Sequence, residues 1–115
     1  MPASARARLA RRLPQAATVF AALGDPTRLA LVTRLCDGSR RSITQLCAGQ
    51  PLTRQAISKH LRVLEDARVV RSERTGRESL YTLDPQPIGE LRAYIDLVSS
   101  QWDDALARLK SFVEK

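Results

Sequence analysis

Apolar residues keep a helical period over most of the chain and change to a strand-like rhythm only once. Val19, Phe20 and Leu23 form the first stripe, with Pro14 in the first turn of that helix and Gly24 at its end. Asp25-Pro26 restarts a helix at once. The carboxylate can accept from the unpaired N–H groups of a helix start, and a proline in the first helical position loses no hydrogen bond. Leu29, Val32, Leu35 and Cys36 follow at helical spacing until Asp37-Gly38. Ser42 and Gln45 have capping-box spacing for a short third helix with Ile43 and Leu46 inward, ended by Gly49-Gln50-Pro51. Thr53 caps a fourth helix running to about Ala67, with Ile57, Leu61 and Leu64 on one side.

The rhythm then shortens to two strands, roughly Val69 to Glu73 and Glu78 to Leu83, joined at Thr75-Gly76. Asp84-Pro85-Gln86-Pro87 reads as a breaker. From Ile88 to the end, Leu91, Ile95, Val98, Trp102, Ala105, Leu109 and Phe112 recur at alternating steps of four and three, the spacing of a helix that packs on another helix. The order α-α-α-α-β-β-α predicts a mainly α fold with a small β-hairpin, a winged helix-turn-helix. Residues 1–13 are expected to be a mobile basic arm or a frayed helix start, and residues 14–115 a single domain that includes a C-terminal dimerisation helix over 88–115.

Composition sharpens this picture in two ways. With aromatic residues at 4% of 115, the core must be built from Leu, Val, Ile and Ala, and so short a chain gains from oligomerising. The net charge of +7 is also unevenly spread: residues 1–75 hold 14 Lys/Arg against 5 Asp/Glu, whereas residues 76–115 hold 5 against 7. A basic first part and a mildly acidic tail fit a nucleic-acid face separate from a partner face. Met1 to Arg12 is basic without an apolar segment, and no stretch approaches the ~20 apolar residues of a membrane span. A cytoplasmic protein with reduced thiols is expected.

The fourth helix carries the chemistry. At about 100° per residue, Gln55, Ser58, Lys59 and Arg62 share an arc of about 100° opposite Ile57, Leu61 and Leu64, with Arg54 alongside. An Arg can bond a guanine edge with two hydrogen bonds, a Gln can do the same to adenine, and Ser or Lys can hold phosphates or base edges. Polar residues on a helix face are often merely solvated. Here the arc holds no acid until Glu65 and Asp66 at the helix end, which favours double-stranded DNA. Thr53 borders the arc, and His60 lies between the groove face and the core, placed for packing or a phosphate contact. Arg71, Arg74 and Arg77 flank Thr75-Gly76, so the hairpin tip is basic and suited to the phosphate backbone or the minor groove. The same charges would also discourage edge-to-edge strand pairing.

Leu23-Gly24-Asp25-Pro26-Thr27-Arg28 and Ser58-Lys59-His60-Leu61-Arg62-Val63-Leu64, followed by Val69-Val70-Arg71, Gly76-Arg77 and Tyr81-Thr82-Leu83-Asp84-Pro85, resemble the ArsR/SmtB family of small winged-helix repressors. The resemblance spans roughly Phe20 to Phe112. It implies a homodimer binding an imperfect palindrome near its own promoter and released by a signal. It also implies an interface made by the first and last helices, here Val19, Phe20 and Leu23 with Leu91, Ile95, Val98, Trp102, Ala105, Leu109 and Phe112.

Two departures stand out. The family commonly has Gly at the junction of recognition helix and wing, where this chain has Arg68. That residue must turn left-handed at some cost or change the helix ending. The metal-sensing ligand sets are also missing: Cys47 stands alone in the third helix, and the final helix has no histidine, only Asp103 and Asp104. No metal and no cofactor are therefore expected. Cys36 and Cys47 form a candidate redox pair, against the plainer reading of two small buried hydrophobes. The scattered glycines make no phosphate loop, and no catalytic constellation is present. The alternatives are a protein–protein interaction module on the same fold, or a thiol- or metal-responsive version of the repressor.

Overall fold

The computed structural model describes residues 3–114, as five helices and a three-stranded antiparallel sheet. In chain order these are α1 (Ala3–Leu23), α2 (Pro26–Leu35), β1 (Arg41–Ser42), α3 (Ile43–Cys47), α4 (Arg54–Asp66), β2 (Val70–Thr75), β3 (Glu78–Leu83) and α5 (Pro85–Val113). The expected helices and hairpin are present. Leu31, Leu35, Leu46, Ile57, Leu61, Leu64, Val69 and Val70 close the core at 0–1% exposure, each contributing roughly 1.5–3 kcal/mol of burial.

Several expectations need correction. Pro14 lies inside the first helix and not in its first turn, because α1 starts at Ala3 and residues 3–13 take the helical alternative; residues 1 and 2 fall outside the described residues. Alanine and arginine are strong helix formers, and the local period carries the helix through the proline. Second, Asp84-Pro85-Gln86-Pro87 opens α5 instead of separating it. Asp84 accepts from the Gln86 N–H at 3.1 Å, and both prolines fall in the first turn, where N–H groups have no helical partner. Third, a short strand, β1, precedes α3 and pairs with β3, giving the sheet order β1-β3-β2. Fourth, the inner face of α2 is Leu31, Val32 and Leu35, while Leu29 (51% exposed) and Cys36 face outward.

Local start signals behave as read. Asp25 caps α2, Thr53 caps α4, and Ser42 and Gln45 form the capping box of α3. The hairpin turn is Gly76-Arg77, one residue later than expected. Thr75 pairs with Glu78, and Gly76 at φ +63° takes the first turn position that favours glycine.

The α4–β2 junction shows how Arg68 replaces the expected glycine. Arg68 donates its N–H to Glu65 O and Val69 donates to Leu64 O, both at 2.9 Å, while Leu64 and Val69 are wholly buried. This is a Schellman ending, and it needs a left-handed residue, which Arg68 supplies at φ +63°. Arg68→Gly is expected to raise stability by about 0.5–1 kcal/mol, read as a higher urea midpoint at unchanged slope.

Candidate nucleic-acid interface

The first ten residues of α4, Arg54 to Val63, contain no acid, and the buried row Ile57, Leu61 and Leu64 fixes which face turns outward. Gln55, Ser58, Lys59 and Arg62 are all exposed on that face. Arg54 is exposed as well but reaches back to α3, donating to Thr44 Oγ1 at 3.2 Å. Thr44 thereby joins the surface, although the sequence reading passed it over; its exposed place on α3 beside the α4 start was the available signal. Thr53 holds the helix start by accepting from the Ala56 N–H at 3.1 Å, so its hydroxyl is engaged in capping.

His60 lies between the groove face and the core, and its contacts are on the inner side. Its half-buried ring turns to the start of α2, with Nδ1 3.3 Å from Arg28 Nη1 and 3.8 Å from Asp25 Oδ2. The two sequence segments that stood out, Asp25 to Arg28 and Ser58 to Val63, therefore meet in space. The Asp25 carboxyl lies below its usual range, chiefly because it accepts from the Arg28 backbone N–H, with His60 and Arg28 adding to the effect. A carboxylate held below its unfolded value of 3.8 adds stability above that pH and loses it as the pH falls through the lower folded value. Asp25→Ala is therefore expected to unfold at lower urea than the wild type at pH 7. The gap should close below about pH 3.8, the model-peptide range.

Two arginines counted in the basic surplus have structural roles. Arg28 donates to Ala22 O at 2.5 Å and Ala21 O at 3.2 Å, closing the end of α1. Arg34 donates to Gln45 O and Leu46 O at 2.9 Å and to Ala48 O at 3.1 Å, covering the open carbonyls of the short α3. Arg40 pairs with Glu73, and Arg41 with Asp37. Among the described residues, Lys59, Arg62, Arg74 and Arg77 have no acidic partner. Outward cations thus remain on α4 and the hairpin tip, as they do at the exposed Arg8, Arg11 and Arg12 of α1.

Alternation along β2 separates the wing arginines. Ser72 donates to Glu65 on α4 at 3.1 Å, so its strand face, shared with Arg74, looks toward α4. Arg71 lies on the opposite face at the hairpin base, 3.7 Å from Asp84 at the α5 cap. Under the sheet, burial pushes the Tyr81 phenol up, with Glu65 adding and Arg54 and Arg62 opposing.

The expected partner face divides in two. Val19 (6% exposed) and Leu91 (7%) are already buried inside the chain between α1 and α5, and Leu23 packs against the same core. Phe20 stacks edge-on to Tyr94 at 6.2 Å and stays 42% exposed. Val98 and Ala105 are half-buried. Ile95, Trp102, Leu109 and Phe112 are 46–77% exposed, joined by Leu106 and Val113, which the repeat had not included. Cys36 is an exposed free thiol at the end of α2, and Cys47 a half-buried one at the end of α3.

Among the described residues, no group of three or more His, Cys, Asp or Glu side chains could hold an ion. No described helix is long and apolar enough to cross a membrane.

Residues 25–72 match the family described as bacterial regulatory protein, arsR family. The chain is 36% identical to the HTH-type transcriptional regulator Rv2034 of Mycobacterium tuberculosis, across 72% of this chain and 88% of that protein. It is 33% identical to the HTH-type transcriptional repressor SmtB of the same organism, across 82% of this chain and 67% of that protein. The structure of an ArsR-like transcriptional regulator from Rhodococcus sp. RHA1 superposes with a TM-score of 0.75 at 33% identity, covering 87% of this chain and 93% of that one.

Proposed function

This chain belongs to the arsR family of bacterial regulatory proteins, and from that premise we propose that it is a homodimeric, sequence-specific repressor of transcription that binds a palindromic operator in double-stranded DNA. The observation that carries the reading is the exposed, acid-free face of α4, where Gln55, Ser58, Lys59 and Arg62 stand without acidic partners. The N-terminal half of such a helix enters the major groove, and Arg62 and Gln55 are the residues chemically able to read base edges there. Arg74 and Arg77 hold the wing on the backbone, and Arg54 and Thr44 face the phosphates beside the groove. The protein acts by binding and carries no catalytic chemistry.

The dimer rests on the apolar outer face of α5 together with Phe20 of α1. On so small a domain a ridge holding Trp102, Leu106, Leu109 and Phe112 at 57–77% exposure calls for a partner. A second copy satisfies it with the same face, as a two-fold interface requires. Two α4 helices then address two half-sites, which explains a palindromic target. The interaction-module alternative leaves the acid-free face and the basic wing without a role.

Fluorescence anisotropy with duplex from the region upstream of its own coding sequence, and with a shuffled duplex, at several salt concentrations tests this function. Phosphate contacts should make both affinities fall steeply with salt, and readout of bases should leave the first duplex bound at least 1,000-fold more tightly, the order expected of specific binding. Absence of binding to either duplex at low salt in reductant would overturn the reading in favour of a protein partner.

A further inference from the structure

The recognition helix is held to the rest of the chain mainly by Ile57, Leu61 and Leu64. Burial of apolar area is non-directional, so such a row fixes depth better than it fixes roll or slide. Direction comes from polar contacts on the two shoulders of the helix. On one, Glu65 accepts from Ser72 of the wing, and at the helix start Arg54 donates to Thr44 of α3. On the other is His60, at about 140° around the helix from Gln55, between the core row and the outward arc. A guanidinium has no acceptor, so Arg28 Nη1, at 3.3 Å, bonds His60 Nδ1 only by donating to it, and Asp25 Oδ2 lies 3.8 Å from the same nitrogen. The same guanidinium holds the Ala21 and Ala22 carbonyls at the end of α1, and Asp25 holds the Arg28 backbone N–H. One side chain thus ties the recognition helix to the last turn of α1, the turn that carries Phe20 and Leu23.

We propose that His60 is a positioning residue that acts through Arg28 to fix the angle of α4 against α1, and so sets the separation between the two recognition helices of the dimer. The inference rests on the dimeric DNA-binding reading above and assigns it a specificity determinant that makes no contact with DNA. Half-site recognition belongs to Gln55, Ser58, Lys59 and Arg62. Discrimination between half-site spacings belongs to the His60–Arg28 link, because that link joins the reading element to the proposed dimer helix.

The test compares the wild type with His60→Leu, which removes the acceptor at similar bulk, and with His60→Asn, whose side-chain oxygen can accept from Arg28. A spin label at Gln55→Cys, in a Cys36→Ser, Cys47→Ala background, reports the distance between the two α4 helices without any DNA. The expected result is one narrow distance in the unsubstituted background and with His60→Asn, and a broadened one with His60→Leu. On duplexes with the natural half-site spacing and with one base pair added or removed, unlabelled His60→Leu should bind the natural spacing about tenfold more weakly, about one lost charged hydrogen bond. Its preference among spacings should flatten while its affinity for an isolated half-site holds. A narrow distance that His60→Leu leaves unchanged would overturn the inference alone, as would equal losses on half-site and full site. Absence of dipolar coupling in the unsubstituted background would overturn the dimer, and the inference with it. Equal urea midpoints for the two His60 variants would separate positioning from general loss of stability.

Discussion

Replacing Trp102 and Phe112 together by aspartate is expected to turn the protein into a folded monomer and to weaken operator binding about 100- to 10,000-fold, the range set by the loss of a tethered second site. These residues are 65% and 77% exposed, and neither belongs to the buried core centred on Leu31, Leu46 and Leu61. Two charges in an apolar seam carry a large desolvation cost, whereas the same charges on an unpartnered helix meet only water. The monomer should therefore keep its helical circular dichroism while light scattering reports half the mass. Binding to an isolated half-site should change little. A variant that stays dimeric would place the interface elsewhere, and one that loses affinity equally on half-site and full site would show that α5 supports the reading head directly.

Arg62→Ala carries the second large effect. Arg62 lies on the exposed arc of α4 without an acidic partner, so its removal leaves no charge unpaired inside the protein and should not alter folding. If it pairs with a guanine edge, its loss costs about 1–3 kcal/mol on the operator, or roughly 5- to 150-fold in affinity. The loss on shuffled DNA should be much smaller, and discrimination should relax at one position of each half-site. Equal losses on both duplexes, with a salt slope shallower by about one, would instead assign Arg62 to a phosphate.

Much of this arrangement was legible in the residues because it depends on local rules. Asp25, Ser42 and Thr53 cap the helices that follow them since their oxygens reach N–H groups two or three residues ahead, whatever the rest of the chain does. The outward arc of α4 was legible for a similar reason, as a regular helix fixes which residues share a face. Prolines were less reliable guides. Pro14 was read as a start and is enclosed by α1, while Pro85 and Pro87 were read as a break and open α5. A proline announces a missing N–H, and only the surroundings decide whether the helix starts there or continues through.

The charge count shows the boundary most clearly. Sequence alone determined that the first part of this chain is strongly basic, that one helix presents an acid-free polar face, and that the last helix carries an apolar repeat in search of a partner. It could not say which cations were free, because Arg28 and Arg34 are spent on carbonyls at the ends of other helices and Arg40 on a strand 33 residues away. It placed His60 between the groove face and the core but could not name Asp25 and Arg28 as the groups that folding brings to its inner side. It set Val19 and Leu91 in a partner interface, whereas packing of α1 on α5 buries both within one chain. Period and capping act over a few residues and can be read in order. Long side chains that cap a distant helix end, and the division of one apolar stripe between core and surface, depend on which elements lie side by side, and that is decided only when the chain closes on itself.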